Sequence, residues 1–372
     1  MKKLLAVVAV LLALWLTVTM LSLRAEQEAL HAPWPAGLGT LAEVPKRFPP
    51  REATPAARQL VPLASDAGVD LAPAIRKPGA RDVELRDYVR AQLQRDDGRV
   101  ETPPAPVVDQ LTMRGPALDA IRAHLFAGQP VAWKFALGSE ELPNLSGHMH
   151  LTRLFIARAL ATQSWDDLHA AWELNRDLRS RPEVISQLIA LANTRQINGA
   201  ARSLPLPEPA WMNELRTFDH RRAMLVAHQA EAWSFGRAGK RSPLLVPHHS
   251  FSIANGRDAY RLASEQVAAA PNCVVDAALF GEALKANLAR WNGRSRTFMP
   301  NTTAIWSRIG RARLEIEGTQ KLAMLKSGRT EGVESSACAE GKWVVDGRVL
   351  RYSKEVPTIG NVETRIPLSM RY

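Results

Sequence analysis

The densest recognition chemistry in this chain is the run Arg290-Trp291-Asn292-Gly293-Arg294-Ser295-Arg296-Thr297-Phe298, followed by Arg308, Arg311 and Arg313. Guanidinium groups interleaved with aromatic rings grip phosphate or sulfate and stack on planar or sugar faces. Arg290, Trp291, Arg294 and Arg296 are therefore expected to bind an anionic partner. The alternative is a solvated basic turn with Trp291 packed in the core. Arg158 is a second centre. It projects among Leu151, Leu154 and Phe155 on a helix apolar around almost its whole circumference, where a guanidinium must find an acceptor or reach solvent. It is either half of a structural ion pair or part of a pocket.

Other constellations carry less. Asp166, His169, Glu173 and Asp177 follow one another at helical spacing as an acid/base column would. Trp165, Leu168, Ala171 and Trp172 define the buried face of the same helix, so the column is expected in solvent, where burial cannot tune a pKa. In His148-Met149-His150 the histidines point apart at the start of a helix, and His248-His249 falls in a proline-bounded loop. His148 and His150 are expected as cap or surface residues, and no metal site is expected at either pair, since no HExxH or similar motif accompanies them. No GxSxG elbow, GxxxxGK[ST] loop or GxGxxG turn is present, and no cofactor is expected.

Cys273 and Cys338 are the only cysteines. In an oxidising compartment they are expected to form one disulfide, worth about 4 kcal/mol in the chain-entropy view; the alternative is two buried thiols.

The elements that would position these residues are mostly helical. Hydrophobic periodicity predicts helices over 83–95, 116–126, 146–163, 164–181, 182–202, 211–235, 256–269, 273–291 and 303–326, with a polar loop over 236–252. Ser164 caps its helix with Asp166 and Asp167 in the first turn, as the helix dipole favours. Near the end, Lys342–Val345 and Arg348–Tyr352 flank Asp346-Gly347, the signal of a hairpin with a type I′ turn, and residues 366–372 supply a third strand.

The segment RALATQSWDDLHAAWELNRDL followed by RPEVISQLIALA, within 151–202, resembles the helical hairpins of tetratricopeptide-type repeats and is similar to membrane-anchored bacterial proteins that carry such a segment. With Pro182 at the repeat's terminal proline, Ala170 and Leu174 occupy its small and large apolar positions. Asp177 stands where a second small residue belongs, Arg158 where the first-helix glycine belongs, and no second copy recurs at that period. The resemblance implies an interaction scaffold.

Location comes from the N-terminus. Lys2-Lys3 precede an unbroken apolar run, Leu4 to Leu23, closed by Arg24. About 20 apolar residues match a bilayer, whereas a cleavable signal core has about 7 to 15, and no site places small residues at both required positions. The lysines hold the N-terminus inside. The chain is thus expected as a single-pass protein of the bacterial inner membrane with its main domain periplasmic or extracytoplasmic.

Pro33, Pro35, Pro45, Pro49, Pro50 and Pro55 mark a proline-rich spacer, with a short helix continuing the anchor over 25–31. The expected organisation is an anchor over 1–24, a spacer over 25–80, a helical-hairpin or solenoid-like domain over 81–330 and a small antiparallel β element over 331–372. The fold class is mainly α.

With a formal net charge of +11 and a pI near 10.0, anionic lipid or envelope polysaccharide is the expected partner, nucleic acid is not, and a protein partner fits a scaffold. A membrane-tethered binding or scaffolding role is expected over an envelope enzyme of hydrolase type with a site between helices. A pilin-like or secretion-associated subunit comes last.

Overall fold

The computed structural model describes residues 2–72, 81–139, 141–235, 245–274, 277–292, 303–356 and 366–372. Helix α1 (Lys2–His31) is one continuous rod. Through Leu14 every described residue on it is exposed; from Trp15 onward a seam of Trp15, Val18, Thr19, Ser22, Glu26, Ala29 and Leu30 is wholly or partly buried. Their spacing of three and four is that of one helix face. The seam packs along α12 (Val246–Ala269).

The two helices run in the same direction. Arg257 of α12 lies 3.7 Å from Glu26, while Arg221 and Arg222 of α11 (His220–Ser234) reach the far end of α12 at Ala270 and the chain just beyond α1 at Ala36. The first turns of α12 therefore lie beside the Trp15–Thr19 stretch of α1.

Residues 32–72 do not form an extended spacer. They fold into short turns, α2 (Val44–Arg47) and α3 (Pro55–Asp66), and Leu38, Leu41, Val44, Ala57, Leu60 and Ala64 are buried in the domain cores. Three of the prolines that suggested a stalk, Pro35, Pro45 and Pro55, open helical turns: Pro55 is the first residue of α3 behind Thr54, whose Oγ1 accepts the Ala57 N–H at 3.2 Å. A proline there costs no hydrogen bond. Residues 73–80 of the expected spacer lie outside the described residues.

The helical body continues through α4 (Arg81–Leu93), α5 (Ala105–Phe126), α6 (Leu145–Thr162), α7 (Trp165–Leu174), α8 (Arg176–Ser180), α9 (Val184–Ala201), α10 (Met212–Thr217), α11, α12, α13 (Ala277–Asn287) and α14 (Thr303–Lys326). Pro116 lies inside α5, which opens behind Pro104. The helix expected over 211–235 is two, because Phe218 turns the chain and Asp219 caps α11, its carboxylate accepting the Arg222 N–H at 2.9 Å.

One core joins α3 to α7, α9 and α10, with Leu154, Phe155, Leu168 and Trp172 at most 1 % exposed; a second gathers α9, α11, α12, α13 and α14 around Trp306 and Phe280. Each such side chain stabilises the fold by roughly 1.5 to 3 kcal/mol.

Against α14 lies a sheet in the order β1 (Trp343–Asp346), β2 (Val349–Tyr352), β3 (Ser369–Arg371), antiparallel throughout, pairing Trp343 with Tyr352 and Leu350 with Met370. Asp346 pairs with Val349, so Gly347-Arg348 is the two-residue turn, and only Gly347 has positive φ. That is the type II′ pattern rather than type I′.

Candidate functional site

Arg158 is the hub of an ion-pair network. Its Nε donates to Asp167 at 2.9 Å, a second nitrogen bonds the other oxygen of the same carboxylate, and Nη1 reaches Asp119 at 3.0 Å and the Gly115 carbonyl at 3.2 Å. Arg122 shares both acids. This network ties α5, α6 and α7 together and leaves the guanidinium saturated, as a buried charge requires.

Asp177 corrects the expectation of a solvated acidic column. It is buried, bonded to Arg51, 3.5 Å from Arg181, and accepts the Trp133 N–H at 3.1 Å. The break between α7 and α8 at Asn175 turns this residue inward. His148 is buried too, its ring edge-on to Trp133 at 5.6 Å; burial first, then the Arg181 charge, pushes its pKa down to about 3. His150 meets Arg114 at 3.2 Å.

The rest of the expected column faces a concavity. His169 lies flat against Trp211, centroids 4.9 Å apart and planes 5° from parallel, touches Phe126, and sits 3.6 Å from Glu173. Arg176 also pairs with Glu173, at 2.8 Å, and although partial burial pushes the Glu173 carboxyl upward, the hydrogen bond with His169 and the Arg176 charge hold it below its usual range.

This hollow, of about 590 Å³, is one of a row of hollows that share lining residues, hereafter the groove. Through Arg176 and Glu214 it adjoins a second of about 530 Å³ beside Trp172 and Arg179, which shares Arg179, Phe218 and Asp219 with a third of about 310 Å³. Beyond Phe218 and Asp219 a fourth, of about 440 Å³, is walled by Arg221, Arg313, Gly310 and Cys273. Phe218 and Asp219, at the α10/α11 break, line three of these four hollows.

Arg179, which the sequence analysis did not single out, lines both the second and the third hollow. It is 8 % exposed, its guanidinium carbon stands 3.3 Å from the centre of the Trp172 ring, and Nη1 donates to the Trp172 carbonyl at 2.7 Å. Burial pushes its pKa down to about 9, which leaves it cationic at neutral pH. The available signal was Trp172 and Arg179 seven residues apart, on one face of two successive turns.

Of the expected anion-binding run, Arg290 is exposed and Trp291 is 52 % exposed, so Trp291 is not a core residue; its ring meets His248 at 5.8 Å. Arg294 and Arg296 lie outside the described residues. Asn292 anchors the turn, its Nδ2 donating to the Ser252 carbonyl of α12 at 2.9 Å. Leu245, 52 % exposed, immediately precedes α12. Arg308, Arg311 and Arg313 belong to α14 rather than to this edge, and Arg311 pairs with the buried Glu315 at 3.0 Å.

Cys273 and Cys338 are bonded, with α-carbons 5.3 Å apart. Among the described residues Glu340 is the one other possible ligand grouped with them, and its carboxylate accepts the Cys273 and Val274 N–H groups. With both sulfurs bonded to each other, the cluster offers no thiolate to a metal.

No protein-family profile, curated protein or solved structure matches this chain significantly.

Proposed function

We propose that this is a membrane-tethered helical binding protein: a single-pass protein of the bacterial inner membrane, N-terminus inside, with its domain in the periplasm seated directly on the bilayer. The observation that carries the reading is the union of the apolar helix with the domain. α1 is long and apolar enough to cross a membrane, yet Ser22, Glu26 and Ala29 are buried against the body. Cleavage near residue 25 would strip α12 of part of its packing partner. A retained anchor keeps it.

Length then sets the seating. Only Leu4–Leu14 is wholly exposed, about 16 Å of helix against a hydrocarbon core of roughly 30 Å. The remainder of the apolar run lies beside the first turns of α12, so this edge of the domain meets the outer leaflet. Leu245 and Trp291 offer apolar surface there, and Arg290 offers a cation. Tryptophan and arginine suit the headgroup region, so this edge takes anionic lipid in preference to polysaccharide. The groove around Arg179 is the ligand face.

An envelope hydrolase is the rival, drawing on the His169–Glu173 pair. Stacking on Trp211 and pairing with Arg176 hold both groups in structural contacts, which favours binding.

The test is intact mass spectrometry of the protein extracted from carbonate-washed membranes, with protease added to one side at a time. Retention of residues 1–25 and digestion of the domain from the periplasmic side only are expected. A soluble product beginning near residue 25 would overturn the tethered reading.

A further inference from the structure

We propose that Arg179 anchors a carboxylate-binding site in the groove between α8 and α11, for a ligand that carries its carboxylate on a planar or apolar body. The inference deepens the binding reading above and rests on it. Arg51, Arg158, Arg181 and Arg195 each have a carboxylate partner. Arg179 has none within ion-pair distance among the described residues, although it is 8 % exposed. Among the described residues its one acceptor is the Trp172 carbonyl at 2.7 Å, which leaves most of its five N–H donors without a partner there. A buried guanidinium needs a counter-anion, and this one lines two adjoining hollows of about 530 and 310 Å³.

The acids on the same walls are otherwise engaged. Glu214 accepts the Trp172 indole N–H at 3.3 Å, and Asp219 caps α11 through the Arg222 N–H at 2.9 Å. Glu214 and the nearby Glu173 attract the Arg179 charge from a distance without pairing with it, and these acids oppose a dianion, so a singly charged carboxylate fits better than phosphate. A guanidinium fork accepts one carboxylate bidentately. Trp172 and Phe218 with Val226 provide apolar surface for the body that bears it. Exposed Arg222 adds a further cation to the third hollow. His220 adds no charge near neutral pH, since burial first and then Arg179 push its pKa down to about 3.

The test uses the full-length protein in detergent micelles with para-fluorobenzoate as probe, observed by fluorine NMR, and para-fluorobenzamide as its neutral counterpart. The carboxylate is expected to bind at least about tenfold more tightly than the amide, and Arg179→Met to abolish that preference. Arg179→Lys keeps the charge without the fork and is expected to weaken binding several-fold. It carries the test if Arg179→Met does not fold. Acetate should displace the probe at lower concentration than inorganic phosphate. Equal binding of amide and acid, absence of binding at millimolar probe, an unaffected Arg179→Met or Arg179→Lys variant, or stronger competition by phosphate would each overturn the proposal. Membrane retention is measured separately, so failure here leaves the tethered reading standing.

Discussion

Glu315 shows how tightly individual charges are held. It is fully buried, takes both oxygens to Arg195 at 2.7 Å, and meets Arg311 at 3.0 Å. Glu315→Gln leaves two guanidinium groups without their anion, and a loss of about 3 to 5 kcal/mol in urea unfolding is expected. Four other groups set the pH response. Burial holds His148, His220 and His228 at about 3, against an ordinary 6.5, so the unfolded chain takes up protons that the native state refuses. That stability is present above 6.5 and lost as pH falls toward 3. Glu231 acts oppositely: burial raises it from 4.5 to about 7, so its contribution is present below 4.5 and lost as pH rises through 7. Three groups outweigh one, and unfolding near pH 5.5 takes up about two protons from this set. The melting temperature should therefore fall between pH 7 and 5, and a rise would contradict the assignment. That Arg158 needs a partner was legible from its apolar neighbours; that Asp177 and His148 are buried was not, because the chain turns at Asn175 and Trp133 arrives from a distant loop.

At the scale of elements, most helices were legible from their periodicity and caps, and the hairpin from Asp346-Gly347. The failures have physical causes. Prolines that open helices read like those of an extended stalk, since either role fixes the same φ. The α10/α11 break hides because residues on both sides keep helical spacing while Asp219 alone marks the new start. The disulfide joins the segment before α13 to the segment before the sheet, 65 residues apart in sequence. Replacing Cys273 and Cys338 together by serine should cost about 4 kcal/mol in the chain-entropy model, with faster amide exchange in β1 to β3 than in α6. Gly318 should be equally intolerant: a Cβ there would stand 2.5 Å from the Trp343 ring and 2.9 Å from Met370. Gly318→Ala is expected to destabilise the sheet's packing on α14 by roughly 1 to 3 kcal/mol, read by thermal melting.

For the whole molecule, the apolar run was legible as a span, but its fusion to the domain was not. The seam from Trp15 to Leu30 is a weak pattern inside a helix already apolar on most faces, and only the packing of α12 reveals it. On the proposed reading, the lipid-facing edge of the domain is fixed by its own anchor. The most direct measurement places a polarity-sensitive fluorophore at Leu245→Cys, with Cys273 and Cys338 left oxidised, and Met113→Cys, 66 % exposed in the native chain, as reference. In nanodiscs containing anionic lipid and a headgroup nitroxide, the label at 245 should be blue-shifted and strongly quenched, and the label at 113 neither. Equal, water-like emission at both positions would contradict a domain seated on the membrane.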